Sequence, residues 1–89
     1  MDYVPDARAL SIISHLAQLE PAGWHTAANL TWEVGGESKS DRDFVRQVLN
    51  DLYRAHLMKR MFVQHAGRPT PCFLLEPNEL EDLIEGWTR

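Results

Sequence analysis

Four polar side chains recur at spacings of three and four residues in the middle of the chain: Asp43, Gln47, Asn50 and Arg54. At about 100° per residue they share one face of an α-helix, with Arg46 at its edge. Amide and guanidinium groups present forked donors and acceptors, which match the edges of DNA bases and the oxygens of phosphates. An ordinary solvent face would carry Glu and Lys at i, i+4 spacing. These side chains are therefore candidates for nucleic-acid contacts. The alternative is a core helix with a polar outer face.

The apolar residues between them predict the helix that would hold this face. They recur at i, i+3, i+4 and i+7, the spacing of a buried helical stripe: Val45, Val48, Leu49 and Leu52. The pattern indicates one amphipathic helix over residues 40–60. Ser40, with Asp43 three residues later, forms a plausible capping box at its start.

Shorter elements precede this helix. An apolar stripe predicts a first helix over residues 5–19, with Pro5 in the first turn. Residues 23–25 are long enough only for a bridging strand, and Thr26 is a candidate N-cap for a short helix over 27–34. Residues 35–39 then read as a turn, so the middle of the chain has the order helix, turn, helix.

A β-hairpin and a last helix are predicted after it. Residues 57–64 alternate in polarity, and Gly67 suits a turn before a return strand over 69–75. The return strand contains two prolines, which remove ladder donors, so we expect it at a sheet edge or regular only from about Cys72. Residues 77–87 predict a helix with an acidic outer face, packed on the first helix or on another copy of the chain.

Charge is unevenly distributed along the chain. The net charge is −4, yet residues 39–68 contain seven of the 9 basic residues and three of the 13 acidic ones. That segment therefore has a balance of +4 and the rest of the chain −8. Such polarity can present a basic face to phosphates and keep an acidic face away from them. The alternative is chance segregation in a small protein.

The remaining composition narrows the classes of function. The 89 residues, 44% of them hydrophobic, suit a single domain over 1–89, and no apolar run approaches the roughly 18 residues of a membrane span. One cysteine and no visible secretory signal favour a cytoplasmic protein, nucleoid-associated if it binds DNA. The histidines and Cys72 lack metal-ligand spacing, and no nucleophile–base pattern or phosphate-binding glycine loop occurs. We therefore expect no metal, no cofactor and no enzymatic activity.

The order helix, short strand, helix, helix, strand, strand, helix resembles a winged helix-turn-helix domain, which is mainly α with a small β-hairpin (α+β). The resemblance covers residues 8–76 and is to the PadR, MarR and ArsR groups of bacterial and archaeal transcriptional regulators. Residues 44–61 look like the PadR recognition helix and the entry to its wing. Gly67-Arg68-Pro69, followed by Phe73 and Leu75, looks like the wing tip and return strand.

Three features depart from the PadR pattern. His56 stands where that group usually has Gly, and Cys72 stands where it often has an aromatic residue. The long dimerising C-terminal helix of such regulators is missing or reduced to residues 78–88.

The resemblance implies a transcriptional regulator that places helix 40–58 in the major groove of double-stranded DNA and the wing, residues 64–70, on the backbone or minor groove. The residues that would face DNA are Lys39, Ser40, Arg42, Arg46, Gln47, Asn50, Arg54, His65 and Arg68. Gln47 and Asn50 suit adenine, and Arg46 suits guanine or a phosphate. Residues 38–40 lie where a helix N-terminus can take a phosphate. A homodimer through the first or last helix would match palindromic half-sites.

Two other functions fit the same fold. One is a winged helix used as a protein–protein interaction module, favoured by the net negative charge and by exposed tryptophans, if Trp32 and Trp87 are exposed. The other is a DNA-binding accessory protein of a phage or mobile element, which would share the DNA surface and differ in its partners.

Overall fold

The helices and strands follow the predicted order along the chain. The computed structural model describes residues 3–20, 22–34 and 38–89, so part of the turn predicted at 35–39 lies outside the described residues. The elements are α1 (Ala7–Leu16), β1 (Gly23–Thr26), α2 (Ala27–Glu33), α3 (Lys39–Arg54), β2 (Arg60–His65), β3 (Arg68–Leu75) and α4 (Pro77–Thr88). Over the described residues, four helices and one three-stranded antiparallel sheet make an α+β domain.

Hydroxyl side chains begin the two helices in the middle of the chain. Thr26 caps α2, as its position predicts. Ser38 caps α3, because its Oγ accepts a hydrogen bond from the backbone N–H of Asp41 at 3.0 Å. Each cap satisfies one N–H group that a helix start leaves without a partner. The predicted start of α3 at Ser40 is therefore wrong, and the helix begins at Lys39.

Helix α1 is shorter than its apolar stripe. The stripe predicts a helix over 5–19, whereas the structure has Ala7–Leu16. Asp6 caps the start by accepting from a backbone N–H in the first turn at 2.8 Å. From Gln18 the hydrogen bonds tighten to i−3, as in the bond from the Leu19 N–H to the Leu16 carbonyl. Leu19 still packs against the core from this turn.

Helix α3 ends earlier than the predicted 58 or 60. Its last residue is Arg54, and His56 has a φ of 62°, in the left-handed region. A residue in that conformation closes a helix and lets the chain reverse. Leu57 and Met58, which extend the apolar pattern, lie in the reversal and pack against the core without belonging to the helix.

The return strand is the central strand of the sheet. The strand order is β1-β3-β2 and β3 is regular from Arg68, so both predicted alternatives, an edge strand or a strand regular only from about Cys72, are wrong. The prolines are tolerated because β1 pairs with β3 only as far as Cys72. The N–H of Leu74 bonds to Lys59, so the nitrogens of Pro69 and Pro71 point away from β2 by the alternation of an antiparallel ladder. On the side of β3 opposite to β2, no strand of the described chain pairs with Pro69 or Pro71, so their missing N–H groups leave no acceptor without a partner.

The core lies between the helices and one face of the sheet. Helix α4 packs on α1, and α1 and α2 both pack on α3. The most deeply buried apolar side chains are Ile13, Leu16, Leu30, Val48, Leu49, Leu52, Phe73, Leu75 and Leu80. Since the apolar stripe of α3 is buried in this core, the polar face of the helix is exposed to solvent.

Candidate nucleic-acid interface

The polar face of α3 is exposed along most of its length. The predicted site residues that lie exposed in this helix are Lys39, Ser40, Arg42, Arg46, Gln47 and Arg54. The opposite stripe, from Val45 to Leu52, is buried. The amphipathic pattern therefore orients the helix as expected, with its amide and guanidinium groups available to a partner in solvent.

Two of the three carboxylates of α3 are paired with arginines. Arg8 of α1 donates to Asp41 Oδ1 at 3.1 Å, and Arg54 donates to Asp51 Oδ1 at 3.4 Å. Asp43 has no such partner in the described residues. Exposed pairs contribute little stability, but they offset negative charge on a helix that would approach phosphate. The Asp51 pair also occupies part of the Arg54 guanidinium.

Several cations of this region have no side-chain partner in the part of the chain that the structure describes. They are Lys39, Arg42 and Arg46 in α3, Lys59 before β2, and Arg68 at the hairpin. An unpaired exposed cation can bind an anion without first breaking an internal ion pair. These five of the seven basic residues in segment 39–68 are thus free to contact phosphate.

The hairpin turn brings His65 and Arg68 together. These two residues are the last pair of the β2–β3 ladder. The turn between them has positive φ at both central residues, 52° at Ala66 and 76° at Gly67. Positive φ at both positions is the requirement of a type I′ turn, whose twist matches that of the flanking strands. Both His65 and Arg68 are exposed at this tip.

Asn50 differs from the other predicted readers, because both ends of its amide are engaged. Its Nδ2 donates to the Arg46 carbonyl at 3.0 Å, and its Oδ1 accepts from Arg60 Nη1 at 2.8 Å. The residue is half-buried. One N–H of the amide and one lone pair of its oxygen remain for external partners, so Arg46 and Arg60 occupy half of the hydrogen-bonding capacity of Asn50.

Arg60 itself lies over two aromatic rings. Its guanidinium carbon lies 4.0 Å from the ring centroid of Tyr53 and 5.0 Å from that of Phe62. Such placement over ring faces is stabilised by the ring quadrupole. Sequence reasoning assigned Arg60 no role at the site. The available signal was the period-two alternation, which places Arg60 and Phe62 on the same face of β2.

The two tryptophans that would favour an interaction module, Trp32 and Trp87, differ in their exposure. Trp32 on α2 is 76% exposed. Trp87 on α4 is half-buried. Its ring packs edge-to-face on the Tyr3 ring, with 6.0 Å between the centroids, and its Nε1 donates to the Tyr3 carbonyl at 3.1 Å. Trp87 therefore has a structural contact within the domain, and Trp32 is the large apolar side chain that stands most clearly in solvent.

Within residues 3–20, 22–34 and 38–89, no His, Cys, Asp and Glu side chains come together as a group that could hold a metal ion. Across the same residues, every helix is too short or too polar to span a bilayer. The single cysteine, Cys72, is buried in the central strand.

Comparisons with models of known families, with curated proteins and with solved structures return no match for this chain.

Proposed function

We propose that this protein binds double-stranded DNA as a winged helix-turn-helix transcriptional regulator. The observation that carries the proposal is the group of partner-free cations on the exposed face of α3 and at the hairpin tip, Arg46 and Arg68 among them. The element order is that expected of this class, and the hairpin meets α3 at Arg60, whose side chain contacts Asn50 and Tyr53. Electrostatic attraction to phosphates would supply most of the non-specific affinity.

In the proposed complex, α3 lies in the major groove and residues 64–70 reach the backbone or the minor groove. Gln47 is exposed, uncommitted within the described chain and suited to adenine; Arg46 suits guanine or a phosphate. Arg54 and Arg68 contact phosphates. Lys39, Ser40 and Arg42, with the N–H groups of the first turn of α3, suit a further phosphate. His65 lies beside Arg68 in the wing.

The acidic side of the domain supports this orientation. The exposed carboxylates of α4 are Glu79, Glu81, Asp82 and Glu85. Helix α4 packs on α1, and α1 packs on the side of α3 opposite to its polar face. Phosphate would be repelled by α4 and attracted by α3, so the charge distribution favours one approach of DNA. A homodimer through α1 or α4 is part of the proposal, since it would present two copies of α3 to palindromic half-sites.

The test is selection from a randomised duplex pool at low and at physiological salt, followed by sequencing of the bound fraction. A specific regulator enriches a short motif, and a homodimer enriches a palindrome. Binding at low salt without enrichment would replace the regulator with an accessory DNA protein, such as one from a phage or mobile element. No retention at low salt would contradict DNA binding.

A protein–protein interaction module is the second candidate, and the exposure of Trp32 favours it. Trp is enriched at protein interfaces, and Asp43 places an unpaired carboxylate on the face that would meet phosphate. This candidate predicts that Trp32→Ala abolishes partner binding, whereas the DNA proposal predicts that Trp32→Ala leaves duplex affinity unchanged.

A further inference from the structure

The contacts of Arg60 hold its guanidinium in one plane and one direction. Tyr53 and Phe62 lie 4.0 and 5.0 Å from its central carbon, and Asn50 Oδ1 accepts from Nη1 at 2.8 Å. A guanidinium has five N–H donors. Asn50 takes one of them, and the described residues provide no acceptor for the others. The remaining donors are therefore oriented but unused.

The space beside Arg60 is open and lacks negative charge. A cleft of about 470 Å³ is lined by Trp24, Tyr53, His56, Met58, Lys59 and Arg60. None of these residues is acidic, and Lys59 adds a second cation without an internal partner in the described chain. A group that enters this cleft meets oriented N–H donors and positive charge together, which suits an anion.

Helix α3 places this cleft next to the proposed DNA surface. Arg46, Asn50 and Tyr53 follow one another at i, i+4 and i+7, so they lie along one stripe of α3. Arg60 covers the Asn50 and Tyr53 end of that stripe, while Arg46 at the other end is exposed. A DNA strand that contacts Arg46 would continue past Arg60.

The geometry points to Arg60 as a preorganised binding site for a phosphodiester of the DNA backbone, with Asn50, Tyr53 and Phe62 as its positioning residues. Arginine binds phosphate through two parallel N–H···O bonds, and a guanidinium already fixed in its plane loses less freedom on forming them. The inference rests on the proposed function and extends it. It assigns α3 and the start of β2 a shared phosphate contact, and it gives Asn50 a role through Arg60.

The chain contains a matched control for Arg60. Arg8 also stacks on an aromatic ring, with its guanidinium carbon 4.0 Å from the Phe44 centroid, and it also donates to a residue of α3. Its acceptor, however, is the Asp41 carboxylate, so its charge is already neutralised within the domain. Removing Arg8 should break the same kind of contact without removing a phosphate ligand.

The first experiment measures duplex affinity across a range of salt concentrations for the wild type, Arg60→Ala, Arg60→Lys and Arg8→Ala. Each phosphate contact contributes about 0.9 to the slope of log affinity against log salt. We expect Arg60→Ala to lower that slope by about 0.9 and to weaken all duplex sequences on the order of tenfold. Arg60→Lys, which keeps the charge and loses the fork, should keep most of the slope and bind more weakly. Arg8→Ala should keep the wild-type slope.

Two results of this experiment would overturn the assignment. An unchanged slope in Arg60→Ala would make Arg60 a structural contact only, even if affinity fell through loss of folding. A loss confined to certain duplex sequences would make Arg60 a base reader. In either case duplex binding by the wild type would leave the proposed function standing.

A second experiment tests the site without duplex DNA. The side-chain Nε–H resonances of Arg60 and Arg8 are followed by NMR while inorganic phosphate is added to the wild-type protein. A saturable shift at Arg60, absent at Arg8, supports the phosphate site even if the protein fails to bind duplex DNA. Equal, non-saturating shifts at both residues would overturn the site.

Discussion

Leu57 donates its backbone N–H to the carbonyl of Leu52 at 2.9 Å and thereby closes helix α3. The residue between helix and strand, His56, donates to the Tyr53 carbonyl at 3.0 Å and has a φ of 62°. This pair of bonds is a Schellman motif, in which the left-handed position usually holds glycine. A residue with a Cβ pays roughly 1–2 kcal/mol in that conformation. The junction between α3 and the hairpin is therefore strained at His56.

Replacing His56 with glycine should stabilise the domain. Because glycine adopts positive φ without the Cβ penalty, we expect His56→Gly to raise the free energy of unfolding by about 1 kcal/mol. In a domain of this size that corresponds to a rise in Tm of about 4–8 °C. Thermal denaturation followed by circular dichroism measures it. His56→Ala is the control, because it removes the imidazole and keeps the Cβ. An equal gain in His56→Ala would show that the side chain, and not the backbone conformation, causes the strain.

The start of α3 makes a separate prediction about two neighbouring serines. Ser38 caps the helix, whereas Ser40 lies inside its first turn. Ser38→Ala should cost about 1 kcal/mol of stability, because it leaves the Asp41 N–H without its acceptor. Ser40→Ala should change stability by less than about 0.5 kcal/mol. Urea denaturation of the two variants shows whether Ser38 or Ser40 caps the helix. A larger loss in Ser40→Ala would restore the start that the sequence pattern indicates.

The two phenylalanines on adjacent strands should differ strongly in their contribution to stability. Phe73 in β3 is fully buried, whereas Phe62 in β2 is 57% exposed. Phe73→Ala should lower the free energy of unfolding by about 3–5 kcal/mol through lost burial and the cavity left behind. Phe62→Ala should lower it by about 1 kcal/mol or less, the scale of an exposed cation–π contact. Similar losses in both variants, measured by urea denaturation, would contradict the burial pattern of the hairpin.

The alkaline stability of the domain should depend on Tyr3. Burial raises the pKa of the Tyr3 phenol above its ordinary value of 10.0, and the carboxylates of Asp51 and Asp6 raise that pKa further. The folded state therefore holds the phenol proton more tightly than the unfolded state. Its contribution to stability is fully present below pH 10.0 and is lost as the pH rises through the folded pKa.

Tyr3→Phe removes this ionisation and keeps the ring against Trp87. Over the range from about pH 9 to about pH 11, we expect the free energy of unfolding to fall less in the variant than in the wild type. Urea denaturation at a series of pH values measures the difference. If the free energy of unfolding fell in parallel with pH in the two proteins, Tyr3 ionisation would not be the cause of the alkaline loss of stability.

Local patterns in the sequence predict the elements well, because they depend on near neighbours. The stripe from Val45 to Leu52 is buried as its spacing indicates, and the hydroxyl of Thr26 begins α2 as expected. The end of α3 was harder to predict. Leu57 and Met58 continue an apolar pattern, and nothing local shows that they reach the core from a reversal of the chain.

The position of β3 and the contacts of Arg60 depend on residues distant in the sequence. Pro69 and Pro71 suggest an edge strand, but β3 is central, and the prolines are tolerated because β1 pairs with only its second half. Arg60 meets Asn50 and Tyr53 only once the hairpin has folded beside α3. Residue types alone therefore predict a basic, amide-bearing face on α3. They do not predict the contact between α3 and the start of β2.

The proposal that α3 and the hairpin bind DNA is tested most directly by an NMR titration of the isotopically labelled protein with duplex DNA at low salt. We expect backbone shifts confined to residues 38–54 and 59–70, which contain the exposed cations, and none in Pro77–Thr88, the acidic helix. Added salt should reverse them. Shifts centred on α2 around Trp32 or on α4, or no shifts at low salt, would contradict the DNA-binding surface.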